Sequence, residues 1–289
     1  MIPGAFEYHR PGSIDDAVAL LARFGDEGKV LAGGHSLVPM MKLRLAEPAH
    51  LVDIGAIGDL KGIRQDGDEI VIGATTTQAE VMESALLHEK CPIVPAAAAL
   101  IADPQVRARG TMGGNVANGD PGNDHPAVMM ALGARYVLRG ADGERSVAAV
   151  DFYEGIYATA LAEAELLTEI RVPVPAAGSG WSYRKLKRKV GDFATAAAAV
   201  LLRWEGGACA GAAVALTNVA DQPFLCSAAA AALVGGPVDD AAIDEAASRV
   251  MAECAPADDL RGSPEFRTRM AGEMTRRALR DARDRAQGR

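Results

Sequence analysis

The sequence is poor in aromatic residues: two tryptophans, five tyrosines and six phenylalanines make up 4% of its 289 residues. That excludes a core built on ring packing, and the abundance of alanine points instead to close packing of small side chains. The four cysteines, Cys91, Cys209, Cys226 and Cys254, are scattered, with no C-x-x-C. This argues against an iron–sulfur cluster or zinc site made by this chain alone and fits reduced, buried thiols in a cytosol. No apolar run reaches the ~18 residues of a membrane span. No basic stretch followed by an apolar one opens the chain, so no secretory signal is expected. Also missing are G-x-G-x-x-G, G-x-x-x-x-G-K-[ST], H-E-x-x-H and G-x-S-x-G. Their absence removes Rossmann, P-loop, zincin and acyl-transfer readings, so any chemistry falls to a bound cofactor.

What is present describes a globular protein. Hydrophobic residues make up 49% and charged residues 24%, close to the soluble average. The length suits two domains. With a net charge of −8, a nucleic-acid surface is not the default reading. The charge is uneven. From residue 261 onward there are nine arginines and four acidic residues, an excess of +5 that leaves −13 on the rest. Two readings of that end stand, a docking surface or a solvated helix face.

Local signals divide the chain. Ser13 caps a helix whose apolar face is Ala17, Val18, Leu20, Leu21 and Phe24, ended by Gly25. Strands are predicted over 29–32 and 50–54, and a hairpin across Asp66-Gly67 feeds a strand over 69–74. Thr77 to Glu80 is a capping box before a helix over 81–87. A second helix is predicted over 95–102. The stretch 103–126 is rich in glycine and proline and reads as a long irregular loop. Strands follow over 135–138, 146–150 and 166–172. Residues 176–180 mark a boundary. Beyond it come a strand near 181–186, a hairpin over 197–217, and helices over 238–253 and 264–286.

Two glycine pairs are the most informative segments. Ala32-Gly33-Gly34-His35-Ser36 and Thr111-Met112-Gly113-Gly114-Asn115 each join adjacent glycines to small polar residues. Glycine allows positive φ and close approach of main chain to a ligand. Successive N–H groups in such turns converge on an anion, with Ser36, Thr111 and Asn115 as added donors. Two such loops suit the two phosphates of a dinucleotide. Asp124 lies in the loop that follows and can accept from ribose or adenine, whereas Asp120 suits an Asx turn. In the basic run 184–189, strand alternation puts Lys185, Lys187 and Lys189 on one face and Arg184 and Arg188 on the other. An anionic cofactor or a charge-guarded edge strand accounts for the run equally well.

Together, A-G-G-H-S at 32–36, T-M-G-G-N at 111–115, N-G-D-P-G-N-D at 118–124, E-L-L-T-E-I-R-V-P at 165–173 and K-L-K-R-K at 185–189 resemble the FAD-binding medium subunits of molybdenum hydroxylases, with the carbon monoxide dehydrogenase branch nearest. The opening residues 2–11 are also similar. The resemblance implies an α+β fold: a two-lobed FAD-binding domain of the vanillyl-alcohol-oxidase type over 1–175 (lobes about 1–54 and 55–175), then a C-terminal α+β domain of hairpins and helices over 178–289. It implies that FAD lies extended between the lobes with its diphosphate at both glycine loops. The implied contacts are Lys29, Val30, Leu31, Ala32, Gly33, Gly34, His35, Ser36, Leu37, Ile101, Ala102, Thr111, Met112, Gly113, Gly114, Asn115, Asp124, Leu167, Phe193 and either Arg184 or Lys185. Of the last two, Lys185 is taken as the contact. Phe193 stands where relatives place an aromatic against the isoalloxazine ring.

The implied function is electron transfer. A molybdenum–pterin large subunit oxidises the substrate, a small subunit with two [2Fe–2S] clusters relays electrons, and the FAD subunit passes them to an external acceptor such as a quinone. The implied assembly is a dimer of heterotrimers, cytoplasmic and associated with the inner membrane face, with neither catalytic nor metal-ligating residues in this chain. Two other readings stay open: a medium subunit acting with another substrate (a purine, aldehyde or N-heterocycle), and a flavin enzyme that oxidises its substrate unaided. A non-catalytic phosphate-ligand binder is a third.

Overall fold

The computed structural model describes residues 2–288; Met1 and Arg289, the outermost residues of the two expected domains, lie outside the described residues. The chain opens with a small parallel sheet. Its strands β1 (Glu7–His9), β2 (Gly28–Leu31) and β3 (His50–Asp53) lie in the order β1-β3-β2. Between β1 and β2, α1 (Ile14–Phe24) begins at Ser13, whose side chain accepts from the Asp16 N–H, and ends at Gly25, φ 51°. Asp15 and Asp16 sit in its first turn, where the helix dipole favours acids. Its buried residues Ala17, Val18 and Leu21 pack with Val52, Ile54 and Ile57. After β2 the first glycine pair leads into a short α2 (Leu37–Lys42).

An antiparallel sheet of five strands follows. β4 (Ile63–Asp66) and β5 (Glu69–Gly73) pair across Asp66-Gly67, with Gly67 at φ 60°. Six short helices come next: α3 (Gln78–Glu83), α4 (Ala85–Lys90), α5 (Ile93–Ala98), α6 (Pro104–Arg107), α7 (Met112–Ala117) and α8 (His125–Ala131). The predicted single helix over 81–87 is broken, because Ser84 adopts an extended backbone and caps α4 through the Leu87 N–H. The expected irregular stretch contains helices because Asp103 caps α6, with Pro104 at its start, and Thr111 caps α7. Capping here outweighs the poor helix propensity of glycine. β6 (Arg135–Gly140) and β7 (Gly143–Ala148) form a hairpin, β8 (Tyr153–Gly155) and β9 (Ala158–Thr159) a small ribbon, and β10 (Leu166–Pro173) completes the order β4-β5-β10-β6-β7.

The remaining chain forms β11 (Gly180–Leu186), β12 (Ala196–Glu205), β13 (Ala208–Thr217) and β14 (Phe224–Leu225), an antiparallel sheet in chain order. Then come α9 (Ser227–Ala231), α10 (Asp240–Glu253) and α11 (Pro264–Ala286). Alternation along β12 serves two cores. Ala196, Ala198, Val200 and Leu202 pack with α10 and α11, while Ala197 and Ala199 join the core that contains α5 and α8. A sheet buried on both faces needs small side chains, which is where much of the alanine goes. Gly180 shows how near α11 lies: a Cβ there would sit 1.8 Å from the Ala282 carbonyl oxygen. Much of the arginine-rich end is paired within the chain. Arg276 meets Asp244, Arg277 meets Glu273, Arg283 meets Asp240, and Arg285 lies 4.0 Å over the Trp181 ring.

Gly180→Ala is expected to overpack the seam between β11 and α11. Stability measured by denaturant unfolding should fall by about 2 kcal/mol or more, and an unchanged midpoint would show that the helix shifts freely.

Candidate cofactor site

A cavity of about 870 Å3 draws its walls from β2, β10 and β11 and from the loops around α6 and α7. Small-molecule sites span roughly 300–1,000 Å3, so this one has room for an extended ligand. It brings together the implied cofactor contacts, with Lys185 rather than Arg184 of the basic run, and leaves out Met112.

Met112 corrects the expectation. With Thr111 as the cap, Met112 and Val116 fall one helical turn apart on the inner face of α7, and both are fully buried in the core. The Met112 N–H donates to the Thr76 carbonyl at 2.8 Å. Neither its side chain nor its N–H is available to a ligand.

The two glycine pairs differ in what they offer. At the first, Gly34 adopts φ 75°, and the N–H groups of Gly33, Gly34, His35 and Ser36 donate to no acceptor among the described residues. His35 Nδ1 lies 2.8 Å from the Gly33 carbonyl oxygen and braces the turn. Uncommitted N–H groups in such a turn are the geometry of an anion cradle. At the second, the N–H groups are already used. Gly113 donates to the Ala74 carbonyl at 2.8 Å and Gly114 to Thr111 Oγ1 at 3.0 Å. The expectation of two N–H cradles therefore becomes one cradle and one close-packed wall. Glycine at 113 is required for space, since a Cβ would lie 2.6 Å from the Ala74 Cβ. What this wall presents is Asn115. Its Oδ1 accepts from the His125 N–H at 3.1 Å, which leaves its amide nitrogen as the free end.

Gly33 joins the two loops. A Cβ there would lie 2.3 Å from the Arg109 carbonyl oxygen and 2.9 Å from the Gly110 Cα, so the main chains meet directly.

Polar residues that the sequence reading missed hold the second loop. Gln78 is 1% exposed; it donates its amide N–H to the Thr111 carbonyl at 3.1 Å and its backbone N–H to the Gly110 carbonyl at 2.8 Å. Its Oε1 lies 2.7 Å from His125 Nε2. Burial pushes the His125 pKa down to about 3 and keeps the imidazole neutral, with Nδ1 unpartnered. Arg107 donates to the carbonyls of Ile101 and Ala102 at 2.7 and 3.2 Å, and so steadies Ala102 at φ 43°, a left-handed conformation rare outside glycine. The capping-box pattern gave Gln78 no distinguishing mark, but Asp103-Pro104 was a readable helix start.

Asp124, Lys185 and Tyr183 form a buried group. The Tyr183 hydroxyl donates to Asp124 Oδ1 at 2.6 Å, and Lys185 Nζ lies 2.9 Å from Asp124 Oδ2. Alternation on β11 turns the two candidates of the basic run to opposite faces. Lys185 faces the cavity, while Arg184 faces α11 and pairs with Asp281. Asp120 forms an Asx turn, its Oδ1 accepting from the Gly122 N–H at 2.8 Å. Phe193 lines the wall at 42% exposure, with the Arg261 guanidinium 5.7 Å from its ring. Next to it, Asp192 is paired with Arg188 at 2.8 Å and Arg261 at 3.4 Å. The Arg188 bond holds its carboxyl below the usual range.

A deep cavity with a main-chain anion cradle at one end and an exposed aromatic elsewhere in its wall suits a flavin dinucleotide. Residues 4–175 match the family model described as the FAD binding domain in molybdopterin dehydrogenase. The chain therefore belongs to the FAD-binding subunits of the molybdopterin dehydrogenases, and its cofactor is FAD. Within that family, residues 181–282 match the CO dehydrogenase flavoprotein C-terminal domain. The chain is 56% identical to the carbon monoxide dehydrogenase medium chain of Afipia carboxidovorans, over 99% of both chains. It is 35% identical to the caffeine dehydrogenase subunit beta of a Pseudomonas strain, covering 99% of this chain and 97% of that one. Among solved structures it is similar to the reconstituted CO dehydrogenase from Oligotropha carboxidovorans, with a TM-score of 0.97 and 56% identity over 99% of this chain and 100% of that one.

Two outcomes are expected. Gly33→Val separates the two loops and should abolish FAD retention, read as the ratio of flavin absorbance to protein; normal flavin content in the folded variant would refute the cradle. His125 gives a pH dependence. An unfolded imidazole titrates near about 6.5, whereas the buried one resists protonation down to about 3. In that window the unfolded state binds more protons, so stability falls with acid by up to about 1.4 kcal/mol per pH unit from this group. Denaturant titrations between pH 7 and pH 5 should show a shallower loss for His125→Gln than for the wild type.

Proposed function

We propose that this chain is the FAD-carrying, electron-transfer subunit of a carbon monoxide dehydrogenase. A molybdenum–pterin large subunit performs the oxidation, and a small subunit with two [2Fe–2S] clusters delivers electrons to this chain. An external acceptor such as a quinone receives them. The assembly is a cytoplasmic dimer of heterotrimers that associates with the inner face of the membrane; among the described residues no helix is long and apolar enough to cross one. Residues 1–175 form the two-lobed flavin domain, and 178–289 a C-terminal domain that lends Lys185 and Phe193 to the cavity.

Bound FAD supplies the ability to accept electrons singly and release them in pairs. The chain's own residues bind and position it. The 33–36 N–H groups hold the diphosphate, Asn115 and the Asp124–Lys185 pair flank it, and Phe193 gives the isoalloxazine a stacking face without a hydroxyl. One observation carries electron transfer over direct oxidation. Asp192, the carboxylate adjoining Phe193, is bound by two arginines. It is therefore a poor base for drawing a proton from a substrate at the flavin.

The test compares the purified chain with the chain co-expressed with its two partners, under carbon monoxide and without oxygen. The isolated chain should hold about one FAD and keep its oxidised spectrum, whereas the assembled complex should bleach. Bleaching of the isolated chain by carbon monoxide would contradict the proposal. Bleaching of the complex by caffeine but not carbon monoxide would move it to another branch of the family.

A further inference from the structure

Outside the cavity wall, one cluster of ligand-bearing side chains has no role in anything described above. Glu7 and His9, two residues apart on β1, share a face of the parallel sheet, and His50 on β3 is the register partner of Glu7. His9 Nε2 lies 3.2 Å from His50 Nδ1. Glu7 Oε2 lies 3.8 Å from the first of these atoms and 3.5 Å from the second. Tyr8, between Glu7 and His9, takes the other face and donates to Asp53.

The triangle has the dimensions of a ligand set. Tetrahedral ligation at about 2.0–2.2 Å separates ligand atoms by about 3.3–3.5 Å. Two imidazoles and one carboxylate are a donor set suited to zinc. The rings are also held in place, as a metal site requires of its surroundings. Phe24 stacks on His50 with centroids 3.9 Å apart and planes 10° from parallel, and it lies 4.7 Å from His9. The imidazoles are 24% and 18% exposed, whereas Glu7 is 73% exposed, so solvent reaches the cluster from the carboxylate side. β1 itself is a three-residue edge strand with mostly exposed side chains, an element with little burial of its own to hold it.

We propose that Glu7, His9 and His50 bind one divalent transition-metal ion of the zinc class, with water as the fourth ligand, and that the ion ties β1 to β3. Binding replaces the hydrogen bond between the two imidazoles. His9 Nε2 and His50 Nδ1 each give a lone pair to the ion, and each neutral ring carries its proton on the opposite nitrogen.

The test is calorimetric titration of the chelator-treated, full-length, FAD-loaded chain with zinc chloride. One saturable site per chain is expected, with a rise in melting temperature on loading. Glu7→Gln and His50→Gln should each weaken binding by at least about tenfold at unchanged flavin content, and His88→Gln should leave it intact. Because Glu7 is largely exposed, its variant remains informative should His50→Gln fail to fold. Zinc binding that survives both variants, or no saturable binding by the wild type, would overturn the proposal.

Discussion

At Gly33 two stretches of main chain touch with no side chain between them. The contact to the Arg109 carbonyl and the Gly110 Cα leaves no room for a Cβ, so the geometry depends on hydrogen at that position. From there a series of bonds runs through the second loop. Gly110 accepts from Gln78, Gln78 donates on to Thr111 and meets His125, and the His125 backbone fixes Asn115. The contact sets the distance between the parallel sheet and the helices around the second loop, and so sets the shape of the cavity between them.

The electrostatics of the site follow from how the donors are used. Lys185 faces the cavity, but its charge is offset by Asp124 at 2.9 Å, so the pair is close to neutral as seen from a distance. The net charge of the whole chain, −8, offers an anionic cofactor no general attraction. On the proposed binding mode, affinity for a diphosphate comes from the uncommitted N–H groups at 33–36. Hydrogen bonds to a charged partner contribute about 1.5–3 kcal/mol each, so three or four of them outweigh what long-range charge takes away. The same proposal assigns one cradle to the diphosphate, with the second glycine pair given over to close packing. The third sheet completes the site. Its strand alternation sends Tyr183 and Lys185 inward and Arg184 to α11, so one strand serves both the cofactor wall and the far core.

Much of this was legible from the sequence, and the misses have physical causes. Ser13, the Thr77–Glu80 capping box and Asp66-Gly67 are local devices whose geometry depends on a few adjacent residues, and the structure forms each as expected. The helices within 103–126 were hidden because glycine and proline content outweighed two cap signals, Asp103 and Thr111, that pointed the other way. Met112 reads as a ligand contact only if 111–115 is a loop; a helix begins there, and helical period turns that side chain into the core. Gln78 and Arg107 act through contacts distant in sequence, with Thr111, His125 and Ile101, and no pattern along the chain marks such partners. The choice between Arg184 and Lys185 was a matter of strand register, which only pairing with β12 decides.

The central claim is that a main-chain cradle at 33–36 grips the diphosphate of FAD. A crystal structure of the FAD-loaded chain tests it most directly. The account predicts diphosphate oxygens within hydrogen-bond distance of the Gly34, His35 and Ser36 nitrogens, with the Gly33–Arg109 contact intact. A diphosphate held instead by lysine or arginine side chains, with those nitrogens bonded only to water, would contradict it.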